Sequence, residues 1–265
     1  MSRCSIFKDR MDFLAVISGF GVGAIVGLTG VGGGSLMTPL LMSVFRLSPA
    51  VAIGTDLWFA AITKSGGSWA HHRMGHVDYR VTKLLLAGSV PATVATIGLM
   101  HFTGITKGWA GTLTLALGIA LLLTAVSVLY KRVWNQVGLR LERLISPTHR
   151  DALTVASGVL LGVLVSLSSI GAGAIGATLL LVLYPRMQAQ RIVGTDIAHA
   201  VPLTLVAGIG HASLGHVEWQ LLGALLIGSL PGIWLGARLT RALPEAVVRG
   251  VLCLSLLGAG IKVLS

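Results

Sequence analysis

Four side chains in this 265-residue chain could do chemistry where chemistry is costly. Asp56, Lys64, Asp196 and His199 all lie inside long apolar runs, and Asp56 and Asp196 are the only ones of nine acidic residues that do. A charge at membrane depth costs at least about 2.5 kcal/mol, so such groups are usually paired or functional. Asp56 and Lys64 are eight residues apart, which puts them on one helix face but about 12 Å apart along it. They need help from elsewhere in the chain to interact. One reading is a polar network that locks two halves of the protein together. The sharper reading makes Asp56, Asp196 and His199 proton carriers and Lys64 the counter-charge of a mobile anion.

The second chemical feature is a pair of glycine clusters. Thr29, Gly32, Gly33, Gly34 and Ser35 form one, and Ser168, Ser169, Gly171 and Gly173 form the other. No Gly-Lys-Ser/Thr follows either cluster, which argues against a nucleotide loop. Each cluster precedes a short apolar run, 34–45 and 172–184, below the roughly 20 residues a spanning helix needs. Consecutive glycines break a helix, and a short helix after the break presents free N–H groups and a positive dipole end. Such an end binds anions, and the flanking hydroxyls add donors. Close helix packing is the plainer use of glycine, and Gly19, Gly23 and Gly27 have that spacing.

The elements that must position these groups are membrane helices. Hydrophobic residues make up 54% of the chain and charged ones 11%, with 35 glycines and a formal charge of +11. That composition excludes a soluble globular domain. The Lys and Arg residues sit in short connections between apolar runs, the cytoplasmic-loop pattern, so nucleic acid is not an expected partner. Two cysteines make neither a disulfide framework nor a zinc cluster. The apolar start has no cleavage-site pattern, so a cleaved signal peptide is not expected. Further runs span 12–29, 50–70, 81–102, 109–130, 152–170, 192–211, 219–237 and 246–264. Between them, the polar stretch 131–151 reads as a basic cytoplasmic linker. Ser48-Pro49 reads as an N-cap with Pro at N1.

An internal duplication organises the chain. Gly54-Thr55-Asp56 recurs as Gly194-Thr195-Asp196, a shift of 140. The same shift relates His71 to His211, Gly75-His76-Val77 to Gly215-His216-Val217, and Gly88-Ser89 with Pro91 to Gly228-Ser229 with Pro231. The expected units are a first repeat over 1–130, the linker, and a second repeat over 152–265. Each repeat holds one glycine-broken hairpin plus three spans, an odd count that inverts the second half relative to the first. Arg73 and Arg80 flank the first Gly-His-Val loop whereas its copy has only Glu218, which agrees. Arg3, Lys8 and Arg10 dissent, because inversion puts the N-terminus outside.

His72 and His76 have metal-ligand spacing, yet no fuller ligand set accompanies them, so no metal is expected and interfacial anchoring is the better reading of His71, His72 and His76. No catalytic triad emerges, so an enzyme has little support, and no cofactor is implied. The small-residue row Gly228, Gly232, Gly236 would serve internal packing or a homodimer.

The run from Thr29 to Leu41, Thr-Gly-x-Gly-Gly-Gly-Ser-Leu-x-x-Pro-Leu-Leu, resembles the TauE/SafE sulfite exporter family, also called the toluenesulfonate uptake permeases. So do Ala52-Ile53-Gly54-Thr55 and Gly75-His76-Val77-Asp78. The resemblance implies a multi-pass inner-membrane secondary transporter of sulfite, sulfonates or related organosulfur anions, with binding roles at the glycine turns, Thr55 and Thr195. The expectation is therefore an all-α polytopic protein that carries a small anion, such as sulfite or sulfoacetate, with protons by alternating access. The alternative is a passive anion channel.

Overall fold

A computed structural model describes residues 2–29, 34–103, 109–239 and 245–264, and these fold into helices throughout. The first half contains α1 (Ser2–Thr29), α2 (Gly34–Ser43), α3 (Pro49–Arg73), α4 (Tyr79–Phe102) and α5 (Trp109–Leu129). A connecting helix, α6 (Lys131–Glu142), follows. The second half contains α7 (Pro147–Ser168), α8 (Ala174–Leu183), α9 (Ala189–Ser213), α10 (Trp219–Leu239) and α11 (Glu245–Leu264). The two short helices after the glycine clusters are thus α2 and α8. Five of the described helices, α4, α5, α7, α9 and α10, are long and apolar enough to cross a membrane.

Local chemistry sets several boundaries. Pro49 starts α3 behind an extended Ser48, as expected, but the Ser48 side chain makes no capping bond. Asp78 caps α4 by accepting from the Arg80 and Val81 amides at 3.1 and 3.2 Å. The expected linker is largely helical: α6 is amphipathic and packs on α8, where a Cβ at Gly138 would meet the Val182 and Leu181 carbonyl oxygens. Its alternation of basic and apolar residues was submerged in the net charge of the stretch. Likewise, α1 begins at Ser2, ten residues ahead of the apolar run that marks it.

The packing exchanges the halves. Helix α1 lies on α10, and its counterpart α7 lies on α4; α3 meets its own counterpart α9, and α5 meets α11. Glycines give the directions. Gly19 faces the Leu225 backbone and Gly23 that of Ser229, while Gly228 and Gly232 face Val16 and Phe20, so α1 and α10 run parallel. The row expected to serve packing or dimers is therefore spent inside the protein at Gly228 and Gly232. Gly158 faces Leu85 and Gly162 faces Ser89, so α7 and α4 run parallel too. By contrast α3 and α9 are antiparallel. Gly54, near the start of α3, faces His216 beyond the end of α9, and Gly194, near the start of α9, faces His76 beyond the end of α3.

Polarity is inside out relative to a soluble protein. Thr38, Thr55, Asp56, Lys64, Ser89, Asp196, His199 and Thr204 are buried, whereas Phe102, Ile227, Leu230 and Leu254 are exposed. Apolar surface of this kind belongs in lipid, with the polar groups facing the bundle interior.

Candidate functional site

The second glycine cluster forms a break between α7 and α8. Ser169 ends α7 with a left-handed φ of 59°, and Gly171 and Gly173 adopt φ of 127° and 142°. Only glycine takes those last two values readily, which explains the residue type at both positions. Ser168 holds the turn locally: its hydroxyl donates to the Leu164 carbonyl at 2.6 Å and accepts from the Ile170 amide at 3.2 Å. Ala172 presents its carbonyl oxygen to Lys64, whose Nζ donates to it at 2.6 Å.

Around that ammonium the two central helices converge. Asp196 and Asp56 both act on Lys64 electrostatically, Asp196 more strongly, although neither forms a direct ion pair with it. Thr38 on α2 donates to Asp56 Oδ2 at 2.5 Å, and Ser169 lies near enough to interact with the same carboxylate. Asp56 Oδ1, Asp196 Oδ1 and Ser169 Oγ are buried without a hydrogen-bond partner. Asp196 interacts with the Gly173 amide at the start of α8, and a Cβ at Gly176 would collide with Asp196 Oδ1. His199, one turn beyond Asp196, meets Ser89 of α4 through Nε2 at 2.9 Å. Asp56 and Lys64, too far apart along one helix to pair directly, are joined at the centre by a backbone carbonyl and a second carboxylate from the other half.

Thr55 and Thr195 sit apart from this cluster in what they bind. Thr55 Oγ1 accepts from the Glu218 amide at 3.0 Å and Thr195 Oγ1 from the Asp78 amide at 2.9 Å. Each hydroxyl therefore anchors the loop that begins the next helix of the opposite half. The neighbouring Gly54 and Gly194 allow those loops to approach. Of the other expected site residues, Gly32 and Gly33 lie outside the described residues, and Thr29, Gly34 and Ser35 are described only as helix-end backbone. Sequence reasoning did not single out Thr38, Ser89, Gly176 or the Ala172 carbonyl. Ser89 was visible in the duplicated Gly-Ser-x-Pro, and Thr38 has a counterpart in Thr178.

The histidine loops mirror each other. His76 and His216 donate their amides to the carbonyls of His71 and His211, and both ring pairs lie 5.7 Å apart. His211 departs from interfacial anchoring: it is fully buried and its Nε2 meets the Ser166 carbonyl at 2.9 Å. Burial lowers the pKa of His216, in the turn between α9 and α10, below its ordinary 6.5. Among the described residues no group of three or more His, Cys, Asp or Glu could hold a metal ion.

One end of the bundle, where α4, α7 and α9 begin, carries the ion pairs. Arg80 meets Asp151 at 2.6 Å, Arg186 meets Glu142 at 2.9 Å and Arg191 meets Asp78 at 3.6 Å. Nearby, Tyr184 shares a 2.9 Å bond with Thr154 under the Arg150 guanidinium, and burial raises its pKa above the ordinary 10.0. The arginines of these pairs are half or more exposed.

A helical bundle with an apolar exterior and a buried charged centre defines a multi-pass membrane protein, and comparison with known proteins places it among transporters. The chain belongs to the sulfite exporter TauE/SafE family, whose model matches residues 15–263. It is 38% identical over 257 residues to YjnA of Bacillus subtilis (strain 168), named a probable membrane transporter protein, covering 96% of this chain and 100% of that one. YdhB of the same organism, similarly named, is 27% identical over 253 residues, covering 95% and 99%. No solved structure matches the chain significantly.

Proposed function

We propose that the protein is a secondary active transporter of a small sulfur or organosulfur oxyanion, such as sulfite or sulfoacetate, working by alternating access in the inner membrane. Protons move with the anion through Asp56, Asp196 and His199, and Lys64 is the anion's counter-charge. The observation that carries this reading is the Lys64 ammonium, seated on the carbonyl of a broken helix and faced by a carboxylate from each half. A charge so placed is suited to a mobile partner, because it forms no direct ion pair with either carboxylate. Sulfur chemistry enters through the family, whose description names sulfite export.

Inversion of the two repeats supports alternating access, since it lets one half rock against the other about a shared site. What supports inversion is direction: α3 opposes its counterpart α9, while α1 and α7 run parallel to α10 and α4. Because α4 reverses α3 and α10 reverses α9, the counterpart pairs α1 and α7, α3 and α9, and α4 and α10 each point oppositely.

Counterflow tests the reading. Proteoliposomes loaded with unlabelled sulfite should accumulate labelled sulfite transiently above its external level. Monotonic equilibration without overshoot would instead identify a channel.

A further inference from the structure

The two halves share their helix order and their histidine-loop hydrogen bonds but not the charge at the centre. Asp56 and Asp196 are counterparts, and both are buried. The counterpart of Lys64 is Thr204, whose hydroxyl turns back to the Ala200 carbonyl at 2.8 Å, and the counterpart of His199 is Phe59. The duplication therefore built two carboxylate positions but one ammonium. The Lys64 Nζ donates to the Ala172 oxygen at 2.6 Å, and an ammonium there is solvated by that carbonyl and faced by the two carboxylates.

Among the described residues, the other elements that reach the cluster add no charge. Helix α2 contributes Thr38, and the α7–α8 break contributes Ser169 and the Ala172 carbonyl. Helix α9 contributes Asp196 and His199, and α4 reaches the cluster through Ser89. Helix α5 has no ionisable residue, and α10 has only Arg238, near its far end. The charge at the centre is thus that of one ammonium and two carboxylates: negative by one unit when both acids are ionised, zero when one is, and positive by one only when neither is.

We propose that this count makes the protein a single-site, proton-conditional anion binder: a monoanion is held at Lys64 only after Asp56 and Asp196 have both been neutralised by protons. In low dielectric a net negative centre repels an anion, and a neutral one offers no uncompensated charge. The inference deepens the carrier reading and rests on it. It fixes what that reading leaves open: one anion per cycle despite two glycine breaks, with protonation preceding binding. His199 relays protons without altering the equilibrium count, because it is neutral at the start and end of the step.

Equilibrium binding of radiolabelled ethanesulfonate to the detergent-purified protein tests this, because that sulfonate keeps one charge across the usable pH range. For the native chain, the dissociation constant should rise with pH, approaching about tenfold per pH unit for each carboxylate that must be protonated. Asp196→Asn should remove one proton from that slope. The double variant Asp56→Asn, Asp196→Asn should bind with an affinity independent of pH, and adding Lys64→Met should abolish binding. His199→Gln should slow transport but keep the native slope. Absence of binding at acidic pH, an unchanged slope in Asp196→Asn, or binding that survives Lys64→Met would overturn the proposal. Should the double variant not fold, the single variant still decides. Counterflow is read separately, so pH-conditional binding without overshoot would reject the carrier and leave the charge count standing.

Discussion

Lys64 of the first half donates to the carbonyl oxygen of Ala172 in the second, at 2.6 Å, and so ties the central helix α3 to the break between α7 and α8. Replacing it removes both a fold contact and the one positive charge that the described residues bring to the centre. Lys64→Met leaves a buried carbonyl without its partner, a loss of about 1–3 kcal/mol. The expected result is a lower thermal unfolding midpoint in detergent together with loss of saturable anion uptake.

Glycines along these helices differ in what surrounds them, and substitution should separate them. A Cβ at Gly194 would press on the His76 carbonyl, which is backbone and cannot swing away. Gly194→Ala should therefore cost about 1–3 kcal/mol through overpacking. Gly98 in α4 has nothing within 4 Å of the same position. Gly98→Ala should be neutral or stabilise by up to about 1 kcal/mol from helix propensity. Unfolding midpoints of the two variants, measured side by side, check the contrast.

Thr195 holds the Asp78 amide at the start of α4, and its counterpart Thr55 holds that of Glu218. Thr195→Val keeps the shape and deletes the acceptor, so stability should drop by about 1–3 kcal/mol. Thr195→Ser should restore most of it. Anion affinity measured on the folded protein should stay within about twofold of native, because this hydroxyl is committed to a backbone amide.

How much of this could be read from residue order varies by element. Duplication, the glycine break between α7 and α8 and the buried Asp56, Lys64, Asp196 and His199 were all legible, because apolar run length and repeated motifs can be read directly from residue order. The partner of Lys64 was not. Its ligand is the carbonyl of Ala172, and a backbone oxygen leaves no trace in side-chain identity. Thr55 and Thr195 carried a family motif, and their contacts with loops of the opposite half depend on an antiparallel α3–α9 pairing that no local pattern encodes. Helix α6 was hidden by its charge, since a basic, amphipathic stretch looks like a polar loop until it finds the end of α8.

His216 makes stability depend on pH. Burial favours its neutral ring, so its folded pKa lies below the ordinary 6.5. As pH falls through that ordinary value the unfolded chain takes up the proton first, and stability is lost toward acid. The unfolding midpoint should decline from neutral to mildly acidic pH, and His216→Gln should flatten part of the decline.

The proposed carrier needs the two halves opposed in the membrane, and sidedness of labelling measures that directly. Met74 and Ser213 lie at equivalent ends of α3 and α9, so Met74→Cys and Ser213→Cys would be made with Cys4 and Cys253 replaced by alanine. In right-side-out vesicles an impermeant maleimide should label the cysteine at 213 at once and the one at 74 only after permeabilisation. Labelling of both from the same side would contradict the account.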